Sequence, residues 1–441
     1  MKWGFPARTR ADAPEGKRSR QGEACTQNSA NNAWNWNRSR WNNNNKNNTF
    51  AVVPFFDITG RRRRLAFEKD FEDMKEFVTY TELRDAYLDC RRHKRNAPDA
   101  VVFARDYESR LCDLRDRLNS GEYRISPAKR FAVSVPKLRE VYAYAFGDRV
   151  VEHLIANRIL PILEDGFFIP DAFSCRKGKG VLYGVNRMAE QIRGIGKDCW
   201  YASLDIKGYF PSMRREVIWG IIEPVIRRGW RWDDDIEPWL SLLRMFIFHD
   251  PSRDCIECGN REALAAVPPE KCLGSDRGEP IGNLLNQLFA IVYLTPIDRW
   301  LRSELEGYGR YVDDMLLLSP DRRKLHRIIP QLRGRLAEIG LELNERKTVI
   351  QRADKGVKFT GYVIKPWGIY PGNRLRRNAV RMSGTKEDAE RHLRRVNSYL
   401  GLLRHALTYG LRFRIWERTK ALYRGIWAKT HIHSIHKLKT I

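Results

Sequence analysis

The chain has no run of about 18 apolar residues, the length a bilayer-spanning helix needs, and no Lys-rich amphipathic helix stands out from its basic background. A membrane partner is therefore not expected. The opening residues MKWGFPARTR lack the apolar core of a secretory signal. Cysteine is sparse, eight in 441 residues and scattered, which argues against a disulfide framework and for reduced thiols in a cytoplasm. There is no GxxxxGK[ST] phosphate loop and no nucleophile elbow with Ser, His and Asp in order. Gly178, Gly180 and Gly184 in FSCRKGKGVLYG have the wrong spacing for a dinucleotide fingerprint, and a basic turn touching a nucleic-acid backbone suits them better.

What is abundant is positive charge. With 80 Lys and Arg against 54 Asp and Glu the formal charge is +26, an excess expected of a protein that neutralises phosphates. Nucleic acid is the leading partner. Residues 28–48, NSANNAWNWNRSRWNNNNKNN, hold eleven Asn and three Trp with almost no aliphatic side chain. Such a segment cannot offset its ordering entropy, so residues 1–73 are expected to be a disordered head. Globular texture begins near Met74, where MKEFVTYTELRDAYLDCRRHKRN and VVFARDYESRLCDLRDRLNSGEY each read as one helix, the second stopped by Ser-Gly.

The chemistry concentrates further on. In RISPAKRFAVSVPKLREVYAYAFGDRVVEHLI a strand precedes a helix and offers Lys137 and Arg139, cations suited to a triphosphate, though a solvated basic face would look the same. CWYASLDIKGYFPSM is a β-type run ending in Asp205, with Tyr209 and Phe210 beyond it. YGRYVDDMLLLS then sets Asp313 and Asp314 at the turn of an apolar hairpin. Two antiparallel strands at the centre of a sheet would bring Asp205 beside Asp313. Bare carboxylates in that position are costly, whereas two Mg²⁺ ions about 3.5–4 Å apart would make them useful for phosphoryl transfer.

The order DIKGYF, GEPIGNLLNQLFAIVYLTPID, YVDD, GLELNERKTVI and VKFTGYVI resembles the successive palm motifs of reverse transcriptases, over residues from about 120 to 365. The resemblance implies an α+β right-hand polymerase: fingers over 74–195, an antiparallel-sheet palm over 196–365, and a short basic helical thumb and tail over 366–441. It implies that Asp205, Asp313 and Asp314 bind metal together with Ile206, and that Phe210 closes against the nucleotide 2′-position. Lys137 and Arg139 would grip the triphosphate, with Ile281 and Gln287 also at the nucleotide. Lys347 would protonate the departing pyrophosphate. PKLREVYAYAFGDRVVEHL, FSCRKGKG and PIGNLLNQLFA are most similar to diversity-generating retroelement enzymes, with retron and group II intron enzymes as neighbours. In that subfamily PIGN is usually followed by Ser-Gln, whereas here Asn286 precedes Gln287. Many other reverse transcriptases carry Gln where Ile281 stands, so the resemblance implies weakened pair discrimination and error-prone copying of template adenines.

On that resemblance the partners are template RNA, an RNA–DNA duplex, dNTPs and an accessory variability protein, in a bacterial or phage-encoded cytoplasmic setting. The Asn-rich head then reads as translated template repeat, with Met74 as the true start. The stretch past Pro366 leaves no room for a maturase extension, and its Leu, Tyr and Trp at helical spacing among Arg and Lys suit a duplex clamp. A scaffold that binds without catalysis is the rival from another class, and the clustered aspartates argue against it. Cys255 and Cys258, with His249 and Cys272 nearby, are a zinc candidate of loose spacing. HIHSIH at 431–436 suits a basic tail better than a metal site.

Overall fold

The computed structural model describes residues 76–422 apart from 93, 135–136, 270–271, 275–276 and 384–388, together with two-residue strands at 55–56, 62–63, 430–431 and 434–435. The expectations for the head, residues 1–73, for most of the HIHSIH segment and for the end of the tail lie outside the described residues. What is described is mixed α+β. Among the described residues no helix is long and apolar enough to cross a membrane.

Three helices come first: α1 (Tyr80–Arg91), α2 (Pro98–Arg105) and α3 (Tyr107–Asn119). Helix α1 starts at a reciprocal capping box in which Thr79 and Glu82 bond each other's backbone N–H. The single helix expected over 101–119 is two, because Asp106 leaves the helical region (φ −130°, ψ 37°). Strands β1 (Ala128–Val133) and β2 (Arg139–Ala143) form a hairpin, followed by α4 (Phe146–Glu164) and α5 (Val181–Ile195). Strand β3 (Trp200–Asp205) leads through α6 (Tyr209–Ser212) into α7 (Arg215–Gly229) and α8 (Ile236–Phe248). A short excursion with β4 (Cys255–Glu257) and α9 (Arg261–Ala265) lays β4 parallel to β1.

The long helix α10 (Leu284–Glu304) precedes the hairpin of β5 (Gly307–Tyr311) and β6 (Asp314–Ser319), then α11 (Arg322–Glu338) and β7 (Val349–Arg352). These strands make a four-stranded antiparallel sheet in the order β5-β6-β3-β7. The run Met315–Leu318 explains how the sheet sits. Met315 and Leu317 enter the large core, while Leu316 and Leu318 enter a second core with Phe173, Met188 and Phe359. A strand buried on both faces needs apolar residues without alternation, and this one has them. Gly309 on β5 is required by closeness: a Cβ there would lie 2.8 Å from Phe173.

A three-stranded meander, β8 (Val357–Phe359), β9 (Tyr362–Lys365) and β10 (Gly368–Pro371), contributes Val357, Phe359, Tyr362 and Ile364 to the second core. Beyond it α12 (Asn373–Ser383), α13 (Ala389–Leu403) and α14 (Tyr409–Leu422) gather a small core of their own around Val396, Leu400 and Ile415. The helical pattern past Glu390 breaks at 404–408, where the Leu407 N–H donates to the Ile369 carbonyl at 2.8 Å and docks the bend on β10.

Candidate active site

The register of β3 on β6 makes Asp205 the direct partner of Asp314, the last rung before the hairpin tip. Asp313 therefore falls in the turn, next to that rung. The cause is the turn length: Val312 and Asp313 alone connect β5 to β6. Val312 adopts φ +58°, a left-handed conformation that a β-branched residue rarely accepts. Both of its peptide groups are tied. Its N–H donates to Ser174 Oγ at 3.2 Å, and its carbonyl accepts from Arg310 Nη1 at 2.8 Å.

Arg310 is itself the hub beneath the tip. It is 1 % exposed and forms a two-pronged pair with the fully buried Asp298 of α10, Nε to Oδ1 at 2.7 Å and Nη2 to Oδ2 at 2.6 Å. The Tyr308 hydroxyl donates to the same Asp298 at 2.6 Å. Residues 171–174 run beside β5, with Arg310 N–H on the Asp171 carbonyl and Phe173 N–H on the Arg310 carbonyl, both at 2.9 Å. The segment expected to face nucleic acid is thus partly structural, for Arg176 is buried in a pair with Glu164.

Asp205 is 8 % exposed, and both its oxygens accept from Lys347 Nζ at 2.7 and 2.8 Å. Asn344 adds a side-chain bond at 3.1 Å and a backbone N–H to the Asp205 carbonyl at 2.8 Å. The NERK turn is thereby folded onto the end of β3, and the hydrogen bond to Asp205 raises the Lys347 pKa. Burial, then the charge of Asp205, raises the Asp313 carboxyl, while Lys347 and Arg139 pull it down. Asp314 is an exposed residue whose carboxyl still feels both neighbouring acids. Burial and the charges of Asp313 and Asp205 push it up to about 6.

A divalent ion suits this donor set. Its side-chain oxygens are carboxylates, hard donors of the kind Mg²⁺ takes. Ile206 pairs with Leu343 in a bridge whose bonds run from Lys207 N–H to the Glu342 carbonyl and from Asn344 N–H to the Asp205 carbonyl. In such a rung the carbonyl of the central residue faces away from its partner, so that of Ile206 points toward the β6 side. Among the described residues no group of three or more His, Cys, Asp or Glu is gathered as a metal site. Instead the Lys347 ammonium supplies the positive charge that the carboxylates call for. Of the zinc candidate, Cys255 lies in β4 with Cys258 just past its end, and neither is in a disulfide.

The residues expected at a nucleotide lie on three segments stitched by buried bonds. Lys137 is exposed in the β1–β2 loop, and Arg139 is the first residue of β2. Ile281 is half-buried in the loop before α10, and Gln287 is exposed on its first turn. Among the described residues no hydrogen bond or ion pair ties Lys137 or Gln287 to the carboxylates. Asn283 Nδ2 donates to the Tyr142 carbonyl at 3.1 Å, fastening the loop to β2. Glu152 of α4 accepts from the Leu285 N–H at 3.2 Å and so caps α10 from outside. Asn286 donates to the Pro280 carbonyl at 2.8 Å, which gives this departure from the Ser-Gln pattern a structural use. Phe210 packs edge-on to Tyr209, and its carbonyl accepts from the Glu279 N–H at 2.9 Å. Asp298, Arg310, Asn344, Glu152 and Asn283 carried no sequence signal beyond adjacency to the motifs.

An acid whose folded pKa is raised binds its proton more tightly when folded, so its contribution to stability falls as pH climbs from its ordinary 3.8 to about 6. In chelator, Asp314→Asn is therefore expected to raise Tm, with a gain that grows from pH 4 to 6 and is flat above. A melting series across that range checks it; a gain that shrinks with pH would contradict the assignment.

Residues 270–364 match the family model "Reverse transcriptase (RNA-dependent DNA polymerase)". The match takes in the Ile281 loop, the carboxylate hairpin and Lys347, while Asp205, Phe210, Lys137 and Arg139 precede it. No curated protein matches the chain. Among solved structures it is similar to apo telomerase from Candida tropicalis, at 10 % identity and a TM-score of 0.43, covering 67 % of this chain and 59 % of that one. A second is telomerase from Candida albicans in complex with a TWJ fragment of telomeric RNA, at 11 % identity and a TM-score of 0.40, covering 73 % and 59 %. The chain thus spans less than two thirds of the solved structures it resembles.

Proposed function

We propose that the chain is an RNA-directed DNA polymerase of the diversity-generating retroelement type, copying template RNA into cDNA with dNTPs and erring at template adenines. The observation that carries the polymerase assignment is the meeting of Asp205, Asp313 and Asp314 at the ends of two paired central strands, under the Lys347 ammonium. Residues 74–195 would act as fingers, 196–365 as palm, and 366 onward as a basic thumb on the duplex. An accessory variability protein is the expected protein partner.

Asp205, Asp313, Asp314 and the Ile206 carbonyl would hold Mg²⁺. Two such ions, when bound, lower the barrier by stabilising charge on the attacking and leaving oxygens. Arg139, whose charge already reaches Asp313, and Lys137 would take the triphosphate. Phe210 would exclude a ribose 2′-hydroxyl. Lys347 would release Asp205 and give its Nζ proton to the pyrophosphate as the bond from the α-phosphorus to the bridging oxygen breaks. Ile281 supports the mutagenic assignment, since an apolar side chain there offers the incoming nucleotide no polar contact to reward a correct pair.

The test is sequencing of cDNA made by residues 74–441 with Mg²⁺, the flanking template RNA and any neighbouring accessory subunit. Misincorporation concentrated opposite adenines is expected. Faithful cDNA would keep the polymerase and move the assignment to a retron or intron relative.

A further inference from the structure

Residues 210–214 and 277–279 are held together as a clasp. Beside the Glu279-to-Phe210 bond, the Gly278 N–H donates to the Met213 carbonyl at 2.7 Å, and Arg214 bridges Arg277. The segment after Asp205 and the loop leading to Ile281 therefore shift together or not at all. At the centre lies Arg215, the first residue of α7, 5 % exposed, with Nη2 at 3.4 Å from the Gly278 carbonyl and Nε without a partner. Glu279, 3 % exposed, also has Oε1 unpartnered, and the Arg215 charge acts on this carboxyl from a distance. A buried guanidinium is costly, and packing alone would be served as well by an apolar side chain.

We propose that Arg215, acting through the Gly278 carbonyl, is a positioning residue that sets the gap between Phe210 and Ile281 and with it the choice of deoxyribonucleotides over ribonucleotides. The inference rests on the polymerase assignment above. Both segments are pinned. On one side Phe210 is held by its own carbonyl. On the other, Gly282 at φ +127° passes so close to β2 that a Cβ would meet Val141 at 3.1 Å. Gly278, at φ +98°, leaves no slack between them, for its Cβ would lie 3.2 Å from the Pro211 carbonyl oxygen. A clasp so tight passes any change at Arg215 directly to Phe210.

The experiment is primer extension by the full chain with dNTPs and with rNTPs, comparing wild type, Arg215→Met, Arg215→Lys, Gly278→Ala, Phe210→Ala and the Phe210→Ala/Arg215→Met double variant. Each single change is expected to lower the deoxy-to-ribo ratio of kcat/KM by about tenfold. Arg215→Lys keeps the charge without the planar fork, and it covers the case in which Arg215→Met fails to fold. In the Phe210→Ala background Arg215→Met should change the ratio no further, because its effect passes through Phe210. Equal losses for both nucleotides, or a full extra loss in the double variant, would overturn the clasp while leaving the polymerase standing. Failure of the wild type to extend with either nucleotide would remove the polymerase assignment itself and the clasp with it.

Discussion

Asp313→Ala is expected to lower nucleotide incorporation by roughly four orders of magnitude, the scale on which loss of one member of a catalytic unit is felt, while RNA binding and its salt dependence stay near wild type. In the proposed enzyme, binding and catalysis are separate jobs. Binding of the nucleic acid draws on the general excess of Lys and Arg, which the substitution does not touch. Catalysis would draw on the cluster in which Asp313 feels Asp205, Lys347 and Arg139. The fold should not suffer, because burial raises the Asp313 pKa and its loss relieves a crowded group. Extension assays beside filter binding at two salt concentrations decide the matter. Parallel loss of both would point to misfolding and undo the assignment.

Asp298→Ala should destabilise the protein by about 3–5 kcal/mol, since it leaves the Arg310 guanidinium buried without its counter-charge. The damage would not stay local. Arg310 is the group that holds the Val312 carbonyl, so the carboxylate turn loses its anchor and activity should fall with stability. Replacing the pair together, Asp298→Leu with Arg310→Met, removes both charges and should recover much of the stability but not the turn. Urea unfolding with an unchanged slope measures the first effect. A shift below about 1 kcal/mol for Asp298→Ala would show that Arg310 finds other partners.

What could be read in advance was local. The β-type run ending in Asp205, the apolar hairpin around Asp313 and Asp314, and the four-residue run Met315–Leu318 all announce themselves in consecutive residues. The break at Asp106 and the bend at 404–408 were missed because each departs from a helical pattern by only a few residues. The rung that pairs Asp205 with Asp314 had no signal of its own, as only the turn length fixes it. What supports the site is distant in the chain: Asp171 and Arg310, Glu152 and Leu285, Phe210 and Glu279. No spacing rule links such residues before the fold brings them together. Arg176 shows the converse, a cation in a basic run that the fold draws inward.

The backbone at Val312 has a consequence for accuracy in copying. A residue held at φ +58° by a bond on each of its peptide groups is over-determined, and strain of this kind persists only where the surroundings leave no alternative. The carboxylate tip is thus a rigid anvil, shaped before any substrate arrives. Under the proposed function, differences in how faithfully one base is matched to another would then originate away from this tip, at Ile281 and Phe210, and evolution would be free to retune fidelity there without disturbing the chemical step.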